Sequence, residues 1–290
     1  MEIALHLGVH LTDDGRLLRC LVKNRDTLFA EGIEVPGPGR YRETLIRMAG
    51  AAAEGTLAPD AGTHFLDDVL DSDETRRLVL SEPNVLSWKS AAVRSTGLYP
   101  AAASRLAGLR EAFGDHDVTL FLALRNPASL LPALMPHLKP HAVTALASVR
   151  PQTLRWLPFV AALRQAWPEA GITLWCDEDT PFLWHRLLAD VSGHGAETQL
   201  AHTYDWFEQI MVDGGAQKLE RYMATTPPVD EAHRQRVIAA FLDKFYDSEK
   251  LDIDVNVPGW TENTVDTVSA LYEDDVDALA TLSDVTLLQP

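Results

Sequence analysis

The amino-terminal segment, residues 3–24, constrains the fold of this chain more than any other stretch. Residues 3–10 are mainly apolar and indicate a short buried strand, and residues 11–16 form a polar turn with one glycine. Apolar residues recur at three-to-four spacing from Leu17 to Val22, which predicts a helix directly after the turn. A strand that passes through a short turn into a helix is typical of parallel α/β sheets. We therefore expect the turn to lie at the carboxyl edge of a sheet.

This turn is a candidate anion-binding site, because a helix amino terminus offers unpaired N–H groups and a partial positive charge. A Walker-type phosphate loop needs several glycines, a lysine and a Ser or Thr. The turn has Thr12, Gly15 and Arg16 but no lysine. It also places the carboxylates of Asp13 and Asp14 where a phosphate would rest, and like charges that close repel by a few kcal/mol. The sequence therefore predicts a spoiled or repurposed phosphate site.

The composition restricts the partners that this chain can have. With 290 residues, 46% of them hydrophobic, the chain can bury a sizeable core, and we expect a single domain over residues 1–290. A net charge of −17 argues against duplex DNA and anionic membranes, which are bound through excess Lys and Arg. Cys20 and Cys176 lie far apart in apolar runs and indicate no disulfide framework. No apolar stretch reaches the roughly 18 residues of a membrane span, so we expect a cytoplasmic protein.

Beyond the first strand, short apolar strands alternate with amphipathic helices. Further strands are predicted at residues 77–83, 117–124, 171–176 and 284–288. The main helices between and after them are predicted at residues 41–53, 101–113, 151–167, 181–191, 231–245 and 264–282. This alternation predicts a three-layer α/β fold, with a central, mainly parallel sheet of about five strands and helices on both faces.

Three side chains at predicted strand ends are candidates for chemistry, and each also has a structural interpretation. His10 is either a general base or a hydrogen-bonded structural residue, and Glu82 is either a base or the cap of a turn. Arg125 ends a very apolar strand, where a phosphate or an ion pair with Asp13 or Asp14 would satisfy its charge. His10 and the two aspartates also suggest a divalent metal, but one loop supplies too few ligands, so we expect no metal site.

Several segments together carry a family resemblance. Residues 6–12 have the sequence His-Leu-Gly-Val-His-Leu-Thr, residues 125–127 Arg-Asn-Pro and residues 260–262 Trp-Thr-Glu. With residues 172–179 and 271–276, these segments resemble bacterial sulfotransferase-like proteins of the P-loop nucleoside triphosphate hydrolase superfamily. In that family the first strand leads into a His-x-Thr-Gly-Thr-Thr loop, which holds the phosphosulfate end of 3′-phosphoadenosine 5′-phosphosulfate.

The resemblance implies a nucleotide-kinase-like fold and sulfuryl transfer from that nucleotide to a hydroxyl group on a carbohydrate or small metabolite. Such a transfer needs a base for the acceptor hydroxyl and donors for the charge on the bridging oxygen. The catalytic candidates are His10 and Glu82. The residues expected to contact the nucleotide, or the product adenosine 3′,5′-bisphosphate, are Thr12, Gly15, Arg16, Arg125 and Ser129.

The chain also departs from the family pattern at the phosphate-binding positions. Leu11 stands where the family has a basic residue, Asp13 where it has glycine, and residues 14–16 where it has hydroxyl side chains. Ala133 replaces a phosphate-contacting serine, and Ser129 can substitute only if the backbone bends. Two functions therefore stay open. The chain is either a sulfotransferase or a descendant with weak or absent nucleotide binding that serves as a binding or regulatory protein.

The same alignment makes a geometric prediction. Asp13, Asp14, Arg16, Glu82 and Arg125 should emerge at one carboxyl edge of the sheet and surround one cleft. We further expect Arg16 or Arg125 to pair with one of the two aspartates, because a buried arginine needs a partner for its charge.

Overall fold

The computed structural model describes residues 1–146, 149–251 and 257–290. The strands are β1 (Glu2–Gly8), β2 (Ile33–Glu34), β3 (Arg77–Ser81), β4 (Val93–Arg94), β5 (Gly97–Leu98), β6 (Asp117–Leu124), β7 (Gly171–Cys176) and β8 (Thr286–Leu288). The helices are α1 (Arg16–Lys23), α2 (Arg25–Phe29), α3 (Pro38–Ala53), α4 (Ala61–Val69), α5 (Ala102–Phe113), α6 (Pro127–Leu134), α7 (Pro140–Leu146), α8 (Trp156–Ala166), α9 (Thr180–Ser192), α10 (Gly215–Thr225), α11 (Glu231–Phe245), α12 (Ser248–Leu251) and α13 (Glu262–Ala280).

The central sheet has six strands in the order β2-β3-β1-β6-β7-β8, and every neighbouring pair is parallel. The α/β prediction is confirmed, but the sheet has one strand more than expected. The additional strand, β2, has only two residues, too few to show a period in the sequence. The order differs from the 3-2-1-4-5-6 order of dinucleotide-binding folds and from the 2-1-3-4-5 order of flavodoxin-like folds.

Helices cover both faces of this sheet. In β1, Ile3, Leu5 and Leu7 belong to one hydrophobic core, and Ala4 belongs to the other. The first core also contains apolar residues of α3, α5 and α8, and the second contains residues of α1, α9 and α10. Because side chains alternate along a strand, β1 is buried on both faces. Only the carboxyl end of β1, at the edge of the sheet, can border a cavity. Within the described residues, no helix combines the length and apolar content that a membrane crossing requires.

One helix begins later than the sequence predicts. Residues 151–153 form a 3-10 turn, and α8 starts at Trp156 instead of Pro151. The reason is a distant cap, since the Asp275 carboxylate of α13 accepts the Trp156 backbone N–H at 2.6 Å. A cap supplied from 119 positions away leaves no local signal in the sequence.

Candidate functional site

The carboxyl ends of β1, β3, β6 and β7 meet at one edge of the sheet, and two cavities open there on either side of the turn between β1 and α1. The β3-side cavity has a volume of about 650 Å³ and is lined by His6, His10, Asp13, Arg42, Glu82 and Lys89, among others. The β7-side cavity has a volume of about 830 Å³ and is lined by Arg16, Arg125, Ser129, Asp177, Phe182 and Trp206, among others. The turn thus divides the predicted single cleft, and Asp14 borders both halves.

The turn places the carboxylate of one of its own residues, Asp13, at the start of α1. The Asp13 carboxylate accepts the backbone N–H of Gly15 at 3.1 Å and that of Leu17 at 2.9 Å. Leu11, Asp14 and Gly15 have φ angles of 62°, 50° and 71°, which place them in the left-handed region and fold the turn tightly around this carboxylate. The groups that make a helix terminus attractive to phosphate are therefore already bonded to an aspartate.

The predicted cofactor residues divide into two groups. Arg16, Arg125 and Ser129 line the β7-side cavity together with Thr12, whose hydroxyl donates to the Val9 carbonyl at 3.0 Å. Gly15 borders only the β3-side cavity. The structure therefore places four of the five predicted nucleotide contacts around one cavity and the fifth on the other side of the turn.

The expected pairing of an arginine with Asp13 or Asp14 is wrong for the described residues. Arg125 donates to the Leu11 carbonyl through Nη1 and to Ser129 Oγ at 3.1 Å through Nε. Arg16 Nε donates to the side chain of Gln209 at 2.7 Å. Asp13 has no need of an arginine because backbone N–H groups already satisfy its carboxylate.

Asp177 is a residue that sequence reasoning missed. It directly follows β7 and lines the β7-side cavity, where its carboxylate lies 3.9 Å from Arg125 Nε. Burial raises the pKa of this carboxyl to about 7; the charges of Glu178, Asp13 and Asp14 add to the rise, whereas Arg125 opposes it. The sequence shows an acidic residue directly after a predicted buried strand, and this could have marked Asp177 as a candidate. The carboxylates of Asp13 and Asp14 come near it only in the folded chain. Perturbed carboxyl groups of this kind cluster at functional sites.

His10 and Glu82 belong to one buried chain of hydrogen bonds. Nδ1 of His10 lies 2.9 Å from the Tyr99 hydroxyl, and its Nε2 lies 3.2 Å from Oδ1 of Asn84. Asn84 donates through Nδ2 to Glu82 at 2.6 Å, and Glu82 also pairs with Arg42 at 3.1 Å. Since a carboxylate only accepts, the Asn84 amide must turn its oxygen to His10, which places the imidazole proton on Nε2. Both ring nitrogens are thus engaged, which favours the structural interpretation of His10.

The burial of His10 predicts an acid-sensitive fold. Burial lowers the pKa of His10 to about 4, so between pH 6.5 and pH 4 the unfolded chain binds a proton that the folded chain does not. Stability is therefore lost as the pH falls. We expect the unfolding free energy to drop between pH 7 and pH 4.5 by about 2 kcal/mol more in the native protein than in His10→Gln.

Urea unfolding at the two pH values measures this difference. His64→Gln is the matched control, because the His64 side chain is 72% exposed. The expectation fails if His10→Gln and the native protein lose equal stability on acidification.

His6 is the second buried histidine at this edge, and one of its ring nitrogens has no hydrogen-bond partner in the part of the chain that the structure describes. The residue is 1% exposed, its Nδ1 lies 2.9 Å from the Ser81 hydroxyl, and its ring stacks on Trp175. The other nitrogen, Nε2, is buried and has no hydrogen-bond partner among residues 1–146, 149–251 and 257–290. Burial lowers the pKa of His6 as well. A buried polar atom without a partner is rare enough to require an explanation.

The described residues contain no group of three or more His, Cys, Asp and Glu side chains that could hold a metal ion. The hydrogen bonds of His10 and Asp13 leave their ligating atoms engaged with other protein groups.

In comparisons with known proteins, no family model, curated protein or solved structure matches this chain.

Proposed function

We propose that this protein is a sulfotransferase-like α/β protein that binds a small molecule and has lost the nucleotide donor site. The observation that carries the proposal is the Asp13 carboxylate, which is bonded to the N–H groups of Gly15 and Leu17. A nucleotide 5′-phosphate bound at this helix terminus would need the same donors. The two cavities at the sheet edge lie within the range of about 300–1,000 Å³ that is usual for ligand pockets.

The hydrogen bonds of Asp13 set a high barrier to nucleotide binding. Hydrogen bonds to charged groups contribute about 1.5–3 kcal/mol each, and a phosphate would have to replace two of them. The displaced carboxylate would then remain close to the phosphate, and Asp14 would add a second like charge. Losing about 3 kcal/mol corresponds to roughly a hundredfold weaker binding. Leu11 offers no cation to compensate.

A sulfotransferase is the second candidate, and Asp177 is the observation that favours it. A carboxyl group whose pKa is about 7 can accept a proton from an acceptor hydroxyl near neutral pH. Arg125, 3.9 Å away, and Ser129 lie in the same cavity and can contact a phosphate. In this alternative the donor would be 3′-phosphoadenosine 5′-phosphosulfate and the acceptor a hydroxylated small molecule or carbohydrate. It requires Asp13 to leave the start of α1.

Calorimetric titration with adenosine 3′,5′-bisphosphate separates the two candidates. We expect the native protein to bind with a dissociation constant no better than roughly high micromolar. Asp13→Gly should bind at least about tenfold more tightly, because it frees two N–H groups and removes a charge. Asp14→Asn is the matched control, since it removes a charge from the same turn but frees no N–H group, and its gain should be smaller.

The turn also determines which substitutions are suitable for this test. Asp14 has a φ of 50°, a conformation that asparagine tolerates and that a β-branched residue such as threonine does not. Asp13 is half-buried and caps α1, so Asp13→Gly is expected to remain folded with a loss of about 1 kcal/mol. Low-micromolar binding by the native protein would contradict the proposal. Equal gains in the two variants would show that charge alone, and not the occupied N–H groups, weakens nucleotide binding.

A further inference from the structure

The β7-side cavity contains a carboxylate and a guanidinium that lie side by side and can be reached from the cavity. Asp177 and Arg125 both line it, and their side chains are 18% and 14% exposed. Oδ2 of Asp177 lies 3.9 Å from Nε of Arg125, which is too far for a hydrogen bond. Within residues 1–146, 149–251 and 257–290, Asp177 accepts no hydrogen bond. A mostly buried carboxylate without a donor has unused capacity to bind a ligand.

Arg125 also has hydrogen-bonding capacity left. Its Nε donates to Ser129 Oγ at 3.1 Å, and its Nη1 donates to the Leu11 carbonyl. A guanidinium has five N–H groups and two are used here, so three have no acceptor in the described part of the chain. Both of its acceptors are uncharged. Arg125 can therefore bind the carboxylate of a ligand without losing a contact that it already makes.

The charges around the cavity argue against a ligand with a single charge. Among the described residues, four carboxylates and three cations line the cavity: Asp14, Asp177, Glu178 and Glu208, and Arg16, Arg125 and Lys250. A simple anion would be repelled by the first set, and a simple cation by the second. A zwitterion can instead place each of its charges against the opposite charge of the protein.

The separation of Asp177 and Arg125 matches the dimensions of an α-amino acid. One carbon atom joins its ammonium group to its carboxylate, so a nitrogen and an oxygen about 3 Å apart can face the two protein groups together. The cavity also has an apolar wall, which includes Pro181, Phe182 and Leu242. An apolar side chain of the amino acid would be buried against this wall.

We propose that the β7-side cavity binds a free α-amino acid with an apolar side chain, whose ammonium group donates to Asp177 and whose carboxylate accepts from Arg125. This inference rests on the proposed function, because it names the class of small molecule that the protein binds. The cavity volume of about 830 Å³ accommodates such a ligand.

Calorimetric titration with L-phenylalanine and L-leucine tests the proposal. Two singly charged counterparts keep the aromatic ring of phenylalanine: β-phenylethylamine lacks the carboxylate, and 3-phenylpropanoate lacks the ammonium group. We expect at least one amino acid to bind saturably below about 10 mM. Each counterpart should bind at least about tenfold more weakly than L-phenylalanine, because it loses one charge-assisted contact. Absence of saturable binding of both amino acids overturns the proposal, and so does equal binding of either counterpart.

A pair of aspartate variants locates the ammonium group. Asp177→Asn should weaken binding of the amino acid by at least about tenfold, because it removes the counter-charge of the ammonium group. Asp243→Asn removes a carboxylate from an exposed position of α11 that does not line the cavity, and it should leave binding unchanged. Thermal unfolding checks that both variants are folded. Equal affinities in the two variants contradict the proposal.

The pH dependence of binding is a readout that a merely structural role of Asp177 would not produce. Burial and the charges of Glu178, Asp13 and Asp14 raise the pKa of Asp177 to about 7, and Arg125 opposes the rise. The ammonium group needs the ionised carboxylate, whose fraction increases about tenfold from pH 6 to pH 8. Affinity for the amino acid should increase by the same factor. A constant affinity over this range contradicts the contact with Asp177.

The failure of this inference is distinguishable from the failure of the proposed function. Low-micromolar binding of adenosine 3′,5′-bisphosphate by the native protein contradicts the proposed function, whatever the result with the amino acids. Weak or absent binding of the bisphosphate, together with no binding of either amino acid, overturns the amino-acid assignment alone.

Discussion

Replacing Asp275 with alanine is expected to lower the free energy of unfolding by about 3–5 kcal/mol, the range found when one partner of a buried ion pair is removed. Asp275 is fully buried and accepts hydrogen bonds from Arg155 Nε at 2.9 Å, Arg155 Nη2 at 2.5 Å and the Trp156 backbone N–H at 2.6 Å. Its removal leaves the Arg155 guanidinium without its hydrogen-bonded counter-charge and the first turn of α8 without its cap.

Urea unfolding measures this effect, and Asp277→Ala is the matched control on the same helix. Asp277 is exposed, so its substitution should change stability by no more than about 0.5 kcal/mol. A loss below about 1 kcal/mol for Asp275→Ala would contradict the structure. The result also bears on the site, because Trp156 Nε1 donates to the Arg125 carbonyl at 2.9 Å and thereby holds the start of the α6 segment.

Replacing Asp177 with asparagine is expected to stabilise the protein by about 3 kcal/mol at pH 8. The folded-state pKa of about 7 lies above the ordinary value of 3.8, so the folded chain retains this proton to higher pH than the unfolded chain does. The resulting stability is present below about pH 4 and is lost as the pH rises through 7. At pH 8 the buried carboxylate is charged and costly, and asparagine removes that charge without changing the side-chain shape.

The gain should therefore grow between pH 4 and pH 7 and level off above pH 7. Thermal and urea unfolding across this range measure it. Asp243→Asn, at an exposed position of α11, is the control and should leave stability unchanged at every pH. A stability curve for Asp177→Asn that runs parallel to that of the native protein would show that Asp177 ionises normally. Residues that cost stability in this way are expected at sites selected for binding or chemistry.

The sequence predicts the parts of this fold that depend on local patterns. Runs such as 77–81 and 117–124 are apolar and bounded by polar residues, so their burial as strands and the convergence of their ends follow from periodicity. The capping role of Asp13 could also be predicted from the sequence, because an aspartate just before a helix commonly accepts hydrogen bonds from backbone N–H groups. Sequence reasoning treated it only as a charge and therefore expected an arginine partner for it.

Other features depend on residues that are distant in the sequence. Tyr99 and Asn84 lie 89 and 74 positions from His10, yet their contacts engage both of its ring nitrogens and remove it from the list of free bases. The pKa of Asp177 is raised by burial and by carboxylates from the turn between β1 and α1, which no local pattern brings near it. The division of the edge into two cavities likewise arises from the left-handed conformations of Leu11 and Asp14, a conformation that is uncommon for leucine.

The central claim is that Asp13 occupies the N–H groups at the start of α1 and thereby excludes a nucleotide phosphate. The amide signals of Gly15 and Leu17 in nuclear magnetic resonance spectra test it most directly, because both N–H groups donate to this carboxylate. We predict that adenosine 3′,5′-bisphosphate leaves both amide protons unmoved in the native protein and shifts them saturably in Asp13→Gly, where the carboxylate that accepts their hydrogen bonds is absent. Saturable shifts of these two amides on addition of the bisphosphate to the native protein would contradict the account.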